Sequence, residues 1–148
     1  MRVFAPVSGK VVAMEDVPDP VFAQAIVGPG LAIEPDADAT KALAPVSGRI
    51  AKIHPHAVVI EAEAKGVLAH LGLNTVELNG QGFTLHAADN EDVQAGQIII
   101  EWDPQAVREG GRSAIVPVVA MQAKAEDVHG LVAPGEHVNA GQALLEWD

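Results

Sequence analysis

Apolar positions along this chain alternate with polar ones, or run together briefly, in short stretches broken by Gly, Pro, Asn or Asp. Val- and Ile-rich stretches of this kind cover residues 10–14, 30–34, 49–54, 57–61, 67–70, 83–86, 97–102, 115–121 and 142–147. A period of two over about four to eight residues is the mark of a half-buried strand. The breaks are too short to hold the crossover helices of a parallel sheet, so the pattern predicts an all-β fold, a compact barrel sandwich. Helix is confined to two very short segments: 21–26, after Pro18 and Pro20, and 104–109, where Pro104 suits the first helical position. No linker or low-complexity stretch interrupts the series, and residues 1–148 read as one domain.

Two motifs occur twice. Ala5-Pro6-Val7-Ser8-Gly9 returns as Ala44-Pro45-Val46-Ser47-Gly48, and Val93-Gln94-Ala95-Gly96-Gln97 returns as Val138-Asn139-Ala140-Gly141-Gln142. The second motif leads each time into Glu-Trp-Asp, at 101–103 and 146–148. Two copies are too few for a solenoid, so the reading is a pair of duplicated hairpin corners within one β domain. The Pro-Val-Ser-Gly unit is expected to be a tight turn, with Pro presetting φ and Gly taking the conformation other residues resist.

Composition narrows the chemistry. With 148 residues and no Cys, disulfide frameworks, thiolate metal sites and cysteine nucleophiles are excluded. Net charge is −11, which argues against binding a phosphate backbone and in favour of a partner protein with a basic patch. The opening residues lack the apolar run of a signal peptide, and no stretch is long and apolar enough for a membrane span. The expectation is a cytoplasmic protein with no nucleic-acid partner and no membrane insertion.

Candidate chemistry therefore rests on six histidines, at 54, 56, 70, 86, 129 and 137. His54-Pro55-His56 would present two imidazoles on one strand face to a single substrate or metal, or else form two solvated loop histidines. His70 closes the apolar run Val67-Leu68-Ala69, where desolvation favours the neutral, nucleophilic imidazole. The same surroundings suit a core histidine with one hydrogen bond. His86, His129 and His137 sit among Gly, Asp, Glu and Pro and carry no assigned role.

Taken in order, the two Ala-Pro-Val-Ser-Gly units, Glu15-Asp16-Val17-Pro18-Asp19, Val21-Phe22-Ala23, Gly30-Leu31-Ala32-Ile33, His56-Ala57, His70-Leu71-Gly72-Leu73-Asn74-Thr75-Val76 and Gly82-Phe83 resemble the glucose-family enzyme IIA. That family is the phosphocarrier of the bacterial sugar phosphotransferase system. The resemblance implies two facing histidines in a shallow apolar depression. His70 would accept a phosphoryl group on Nε2 from HPr, and His56 would bind the phosphoryl oxygens and assist passage to a cysteine of a IIB domain. Val21, Phe22, Ile26, Leu71 and Val76 would form the partner-binding rim. The resemblance implies no cofactor and no resident metal, and it implies regulatory target proteins that bind the unphosphorylated face, in some members sharing a zinc ion with the two histidines. The sequence departs from the family pattern at His54, where a Thr is usual, and at Asn74, where an Asp is usual. The alternative is a zinc metallopeptidase of a related barrel fold using His54 and His56, but that set needs an upstream histidine and none precedes His54.

Overall fold

A computed structural model describes residues 1–148. Its strands are β1 (Arg2–Phe4), β2 (Gly9–Ala13), β3 (Gly30–Pro35), β4 (Lys41–Leu43), β5 (Gly48–His54), β6 (Ala57–Ala62), β7 (Lys65–His70), β8 (Thr84–Leu85), β9 (Asp92–Val93), β10 (Ile98–Glu101), β11 (Val116–Ala120), β12 (Val128–Gly130), β13 (His137–Val138) and β14 (Ala143–Trp147). An eight-stranded sheet runs β13-β2-β3-β11-β7-β6-β5-β9, and two three-stranded sheets run β1-β14-β12 and β4-β10-β8. Every strand pair is antiparallel, as short turns require. The all-β expectation holds, and no helix is long and apolar enough to cross a membrane.

Both helices are short and built the same way. In α1 (Pro20–Ala23) Asp19 caps the Val21 N–H at 2.9 Å, and in α2 (Pro104–Glu109) Asp103 caps the N–H groups of Gln105 and Ala106. An aspartate followed by Pro at the first helical position supplies an acceptor for orphan donors and a preset φ. The expected segment 21–26 is cut short because Ala25 turns to φ 53°. The strands β1, β4, β9, β12 and β13 escape the sequence pattern altogether. They are two or three residues long, too short to show a period, and their pairing is decided by distant partners.

Those distant partners explain the duplicated motifs. Ala5 N–H donates to Gln142 O and Gly141 N–H to Ala5 O; Ala44 N–H donates to Gln97 O and Gly96 N–H to Ala44 O, all at 2.8–2.9 Å. Ser8 Oγ accepts from Ala140 N–H, and Ser47 Oγ accepts from Ala95 N–H, both at 2.8 Å. Each Pro-Val-Ser-Gly unit thus docks on its own Val-x-Ala-Gly-Gln unit. The two assemblies then exchange bonds, Phe4 N–H to Pro45 O and Leu43 N–H to Pro6 O. Trp102 and Trp147, which end the repeated segments, are buried in the same main core.

The reason for Gly in the first motif is not the expected one. Gly9 and Gly48 do not have positive φ; the positive values belong to Gly96 and Gly141, at 90° and 87°. What Gly9 and Gly48 permit is close strand approach. A Cβ there would stand 2.1 Å from Glu34 O and 2.2 Å from Glu61 O. Gly48→Ala therefore has to push β5 from β6, a loss of about 1–3 kcal/mol by analogy with overpacking. Thermal unfolding should show it as a lower midpoint, and an unchanged midpoint would mean that the strands separate freely.

The main core is aliphatic apart from Trp102 and Trp147, and is drawn from all three sheets. A smaller apolar cluster of Met14, Val17, Phe22, Ala32, Leu73, Ile115 and Val119 lies on the other face of the large sheet, beside the end of β7. Phe22 of that cluster has its ring 5.4 Å from that of His70.

Candidate functional site

Three histidines meet where β5, β6 and β7 end. His54 is the last residue of β5 and pairs with Ala57, the first of β6, which pairs in turn with His70, the last of β7. Pro55 and His56 form the two-residue link. His54 and His56 are therefore not two residues of one strand face, as their spacing had suggested; a hairpin turn brings them together. The His56 carbonyl accepts the Leu71 N–H at 2.7 Å and ties this link to the segment after His70.

His70 has one hydrogen bond in the chain, Nδ1 to the Gly72 carbonyl at 2.6 Å. A carbonyl only accepts, so Nδ1 carries the proton and the lone pair stays on Nε2. Burial pushes the His70 pKa below the usual imidazole range, while the Gly72 bond and the charge of Asp19 act in the opposite sense. The ring is thus held neutral, in one tautomer, with Nε2 as its nucleophilic atom.

Gly72 reaches this position because the backbone turns sharply there. Its φ is +78°, and a Cβ would stand 2.7 Å from Thr75 Cγ2 and 2.9 Å from Ser113 O, so no other residue fits. Leu71, Gly72 and Leu73 donate their N–H groups to His56, Ile115 and Ser113, and buried Thr75 donates its hydroxyl to Leu71 O at 2.7 Å. Asn74 follows with φ 59°, a left-handed conformation in which Asn is favoured. Residue types alone had singled out neither the Gly72 carbonyl nor Asp19. The glycine two positions after His70 is a local signal that could have marked the carbonyl; none in the neighbouring sequence marks Asp19.

The His56 and His70 rings form a T-shaped pair, with centroids 5.1 Å apart and planes at 71°. The His56 pKa is lowered to about 4, first by burial and then by the neighbouring His70 and His54 rings. An unfolded chain would protonate this ring near 6.5. The folded protein therefore loses stability as pH falls from about 6.5 toward about 4, because the unfolded state binds more protons across that window. A histidine-resolved NMR titration should place the His56 midpoint well below 6.5, and a midpoint at or above that value would contradict this environment.

The proposed rim residues divide into two sets. Val21, Ile26 and Val76 are exposed by 43%, 67% and 60%, and form apolar surface on the segments that flank the histidines. Leu71 is 1% exposed and belongs to the main core, so its side chain cannot meet a partner. Chain direction alternates past His70, which sends Leu71 to the opposite face. Phe22 is also buried, and its ring lies 5.4 Å from that of His70, packed beneath it and not on an exposed rim.

The other histidines are on the surface beside carboxylates: His86 by Glu101, His129 by Asp148 and His137 by Asp36. No three His, Asp or Glu side chains are grouped to hold a metal ion, and the His54 and His56 rings stack instead of converging. The most enclosed cavity, about 280 Å³ between Leu78, Phe83, Val107 and Arg112, contains no histidine. None of the cavities in the chain is lined by a histidine.

Comparison with known proteins agrees with this geometry. The family model described as the phosphoenolpyruvate-dependent sugar phosphotransferase system, EIIA 1, matches residues 1–126. A "PTS system glucose-specific EIIA component" of Buchnera aphidicola is 39% identical over 145 residues, covering 93% of this chain and 88% of that protein. The protein of the same name from Oceanobacillus iheyensis is 38% identical over 122 residues, covering 80% and 73%. Among solved structures, "glucose permease IIA from Mycoplasma capricolum" superposes with a TM-score of 0.87 at 30% identity, covering 98% of this chain and 94% of that one. The chain belongs to the EIIA 1 family of the phosphoenolpyruvate-dependent sugar phosphotransferase system, with a phosphocarrier role in sugar uptake.

Proposed function

We propose that residues 1–148 act as one phosphocarrier domain in which His70 Nε2 takes a phosphoryl group from phospho-HPr and delivers it to a cysteine of a sugar-specific IIB domain. The observation that carries the reading is the hydrogen bond from His70 Nδ1–H to the Gly72 carbonyl, which leaves Nε2 as the free lone pair beside a second neutral imidazole.

In the first transfer the Nε2 lone pair forms a bond to phosphorus as the bond from phosphorus to the donor imidazole breaks. The donor leaves with its electron pair. His70 keeps its Nδ1 proton throughout, and the Gly72 carbonyl stabilises the positive charge that grows on the ring. The second transfer reverses the roles: a thiolate attacks phosphorus, and the Nε2–P bond breaks with its electrons returning to His70. Phosphoryl transfer of this kind needs in-line placement and donors to the equatorial oxygens more than covalent help. His56 is the neighbouring group available to donate.

Closing a partner over Val21, Ile26 and Val76 would exclude the water that hydrolyses a phosphohistidine. The net charge of −11 favours partners with basic contact faces, as HPr would need to have, and the same exposed face is available to regulatory target proteins. The setting is the cytoplasm, where both transfer partners would be met. Incubation with phosphoenolpyruvate, enzyme I and HPr, followed by intact-mass analysis, should show one acid-labile phosphoryl group. No gain in mass would overturn the proposal.

A further inference from the structure

One ring nitrogen each of His70, His129 and His137 is hydrogen-bonded within the chain, whereas neither nitrogen of His56 is, nor of His54. The His56 backbone is fixed through Leu71, but nothing polar sets the angle of its imidazole. Two rings do touch it. His70 meets it edge-on, and His54 lies against its face, with centroids 5.7 Å apart and planes at only 23°. We infer that His54 is a positioning residue, whose stacked ring holds the His56 imidazole edge-on to His70 while leaving both His56 nitrogens free for a phosphoryl oxygen.

His54 is well suited to serve as a fixed surface. It ends β5, and the preceding residues are anchored by Asp89, which accepts from Ile53 N–H at 2.8 Å and from Lys52 Nζ at 3.2 Å. The Lys52 bond and the Ile53 bond together keep the Asp89 carboxyl below its ordinary range, so the anchor stays ionised in mildly acidic solution. Pro55 then restricts the link between the two rings. A side chain that oriented His56 by hydrogen bonding would occupy one of its nitrogens; stacking does not. His54 has a ring pair with His56 and none with His70, so its route to the phosphoryl site runs through His56.

This inference rests on the proposed transfer from His70, and its test separates the two. Delivery of the phosphoryl group to a IIB domain is measured for the wild type, His54→Ala, His54→Asn and His54→Phe. An aromatic pair of this kind is worth about 2- to 10-fold in an equilibrium or a rate. His54→Ala and His54→Asn should lower kcat by about that factor with KM unchanged, and His54→Phe, which restores a stacking ring without a titratable nitrogen, should recover wild-type kcat. The His56 ring protons give an independent readout. The part of their ring-current shift that comes from residue 54 should be lost in the Ala and Asn variants and persist in the Phe variant, over a His70 contribution common to all four. Equal kcat in all four proteins, or a Phe variant as slow as Ala, would overturn the role of His54. A wild type that takes up no phosphoryl group would instead overturn the proposed function, while the NMR comparison would still report on the stack.

Discussion

Replacing His70 with Gln is expected to abolish uptake of the acid-labile phosphoryl group. The substitution removes the one lone pair that the Gly72 bond leaves free on Nε2, and an amide nitrogen has none to offer. Removing a nucleophile from a comparable constellation costs on the order of 10⁶ in rate, so intact-mass analysis after loading through enzyme I and HPr should find the variant unmodified. The fold should persist. His70 lies at a strand end and is only partly buried, and its loss leaves the aliphatic core untouched. Loading at the normal rate would move the acceptor to another residue, with His56 the nearest.

How much of this could be read before the fold was seen differs from residue to residue. The longer strands were legible because Val and Ile recur at a period of two and are bounded by Gly, Pro and Asn. The Pro at the first position of α2 marked that helix from 104 to 109, where it is found. The short strands were not legible, since β9 and β13 contain two residues each and exist only because β5 and β2 lie beside them. The duplicated motifs were visible, but their purpose was not. Sequence shows that Ser8 and Ser47 are equivalent; only the fold shows each hydroxyl accepting from the partner motif 132 or 48 residues away.

The site divides in the same way. The apolar flanks of His70 pointed to a neutral imidazole, and the resemblance to enzyme IIA pointed to its partner His56. The resemblance also named Nε2, but the physical reason was out of reach, because which nitrogen is free depends on a carbonyl two residues on, swung into place by a left-handed glycine. Leu71 was misread for a related reason. Adjacent residues in sequence face opposite sides, so a residue next to His70 is the least suited to share its surface.

His56→Gln tests the second half of the transfer cycle. Both ring nitrogens of His56 are unbonded within the chain, and its pKa near 4 keeps the ring neutral through the physiological range. A neutral imidazole donates a proton at one nitrogen and accepts at the other, so it can follow the charge on the phosphoryl oxygens as the Nε2–P bond breaks. Glutamine reproduces one hydrogen bond but cannot exchange protons in this way. General acid–base help is typically worth ~10²–10⁴-fold, and the variant is expected to load at His70 yet deliver to a IIB cysteine more slowly by a factor in that range. Single-turnover transfer from the preloaded variant measures that step without contribution from loading. Because His56 stays neutral down to about pH 4, the wild-type delivery rate should show no inflection from this group between pH 5 and pH 8. Normal delivery by His56→Gln would mean that one histidine suffices, and that the edge-on pair, 5.1 Å apart, serves packing instead of transfer.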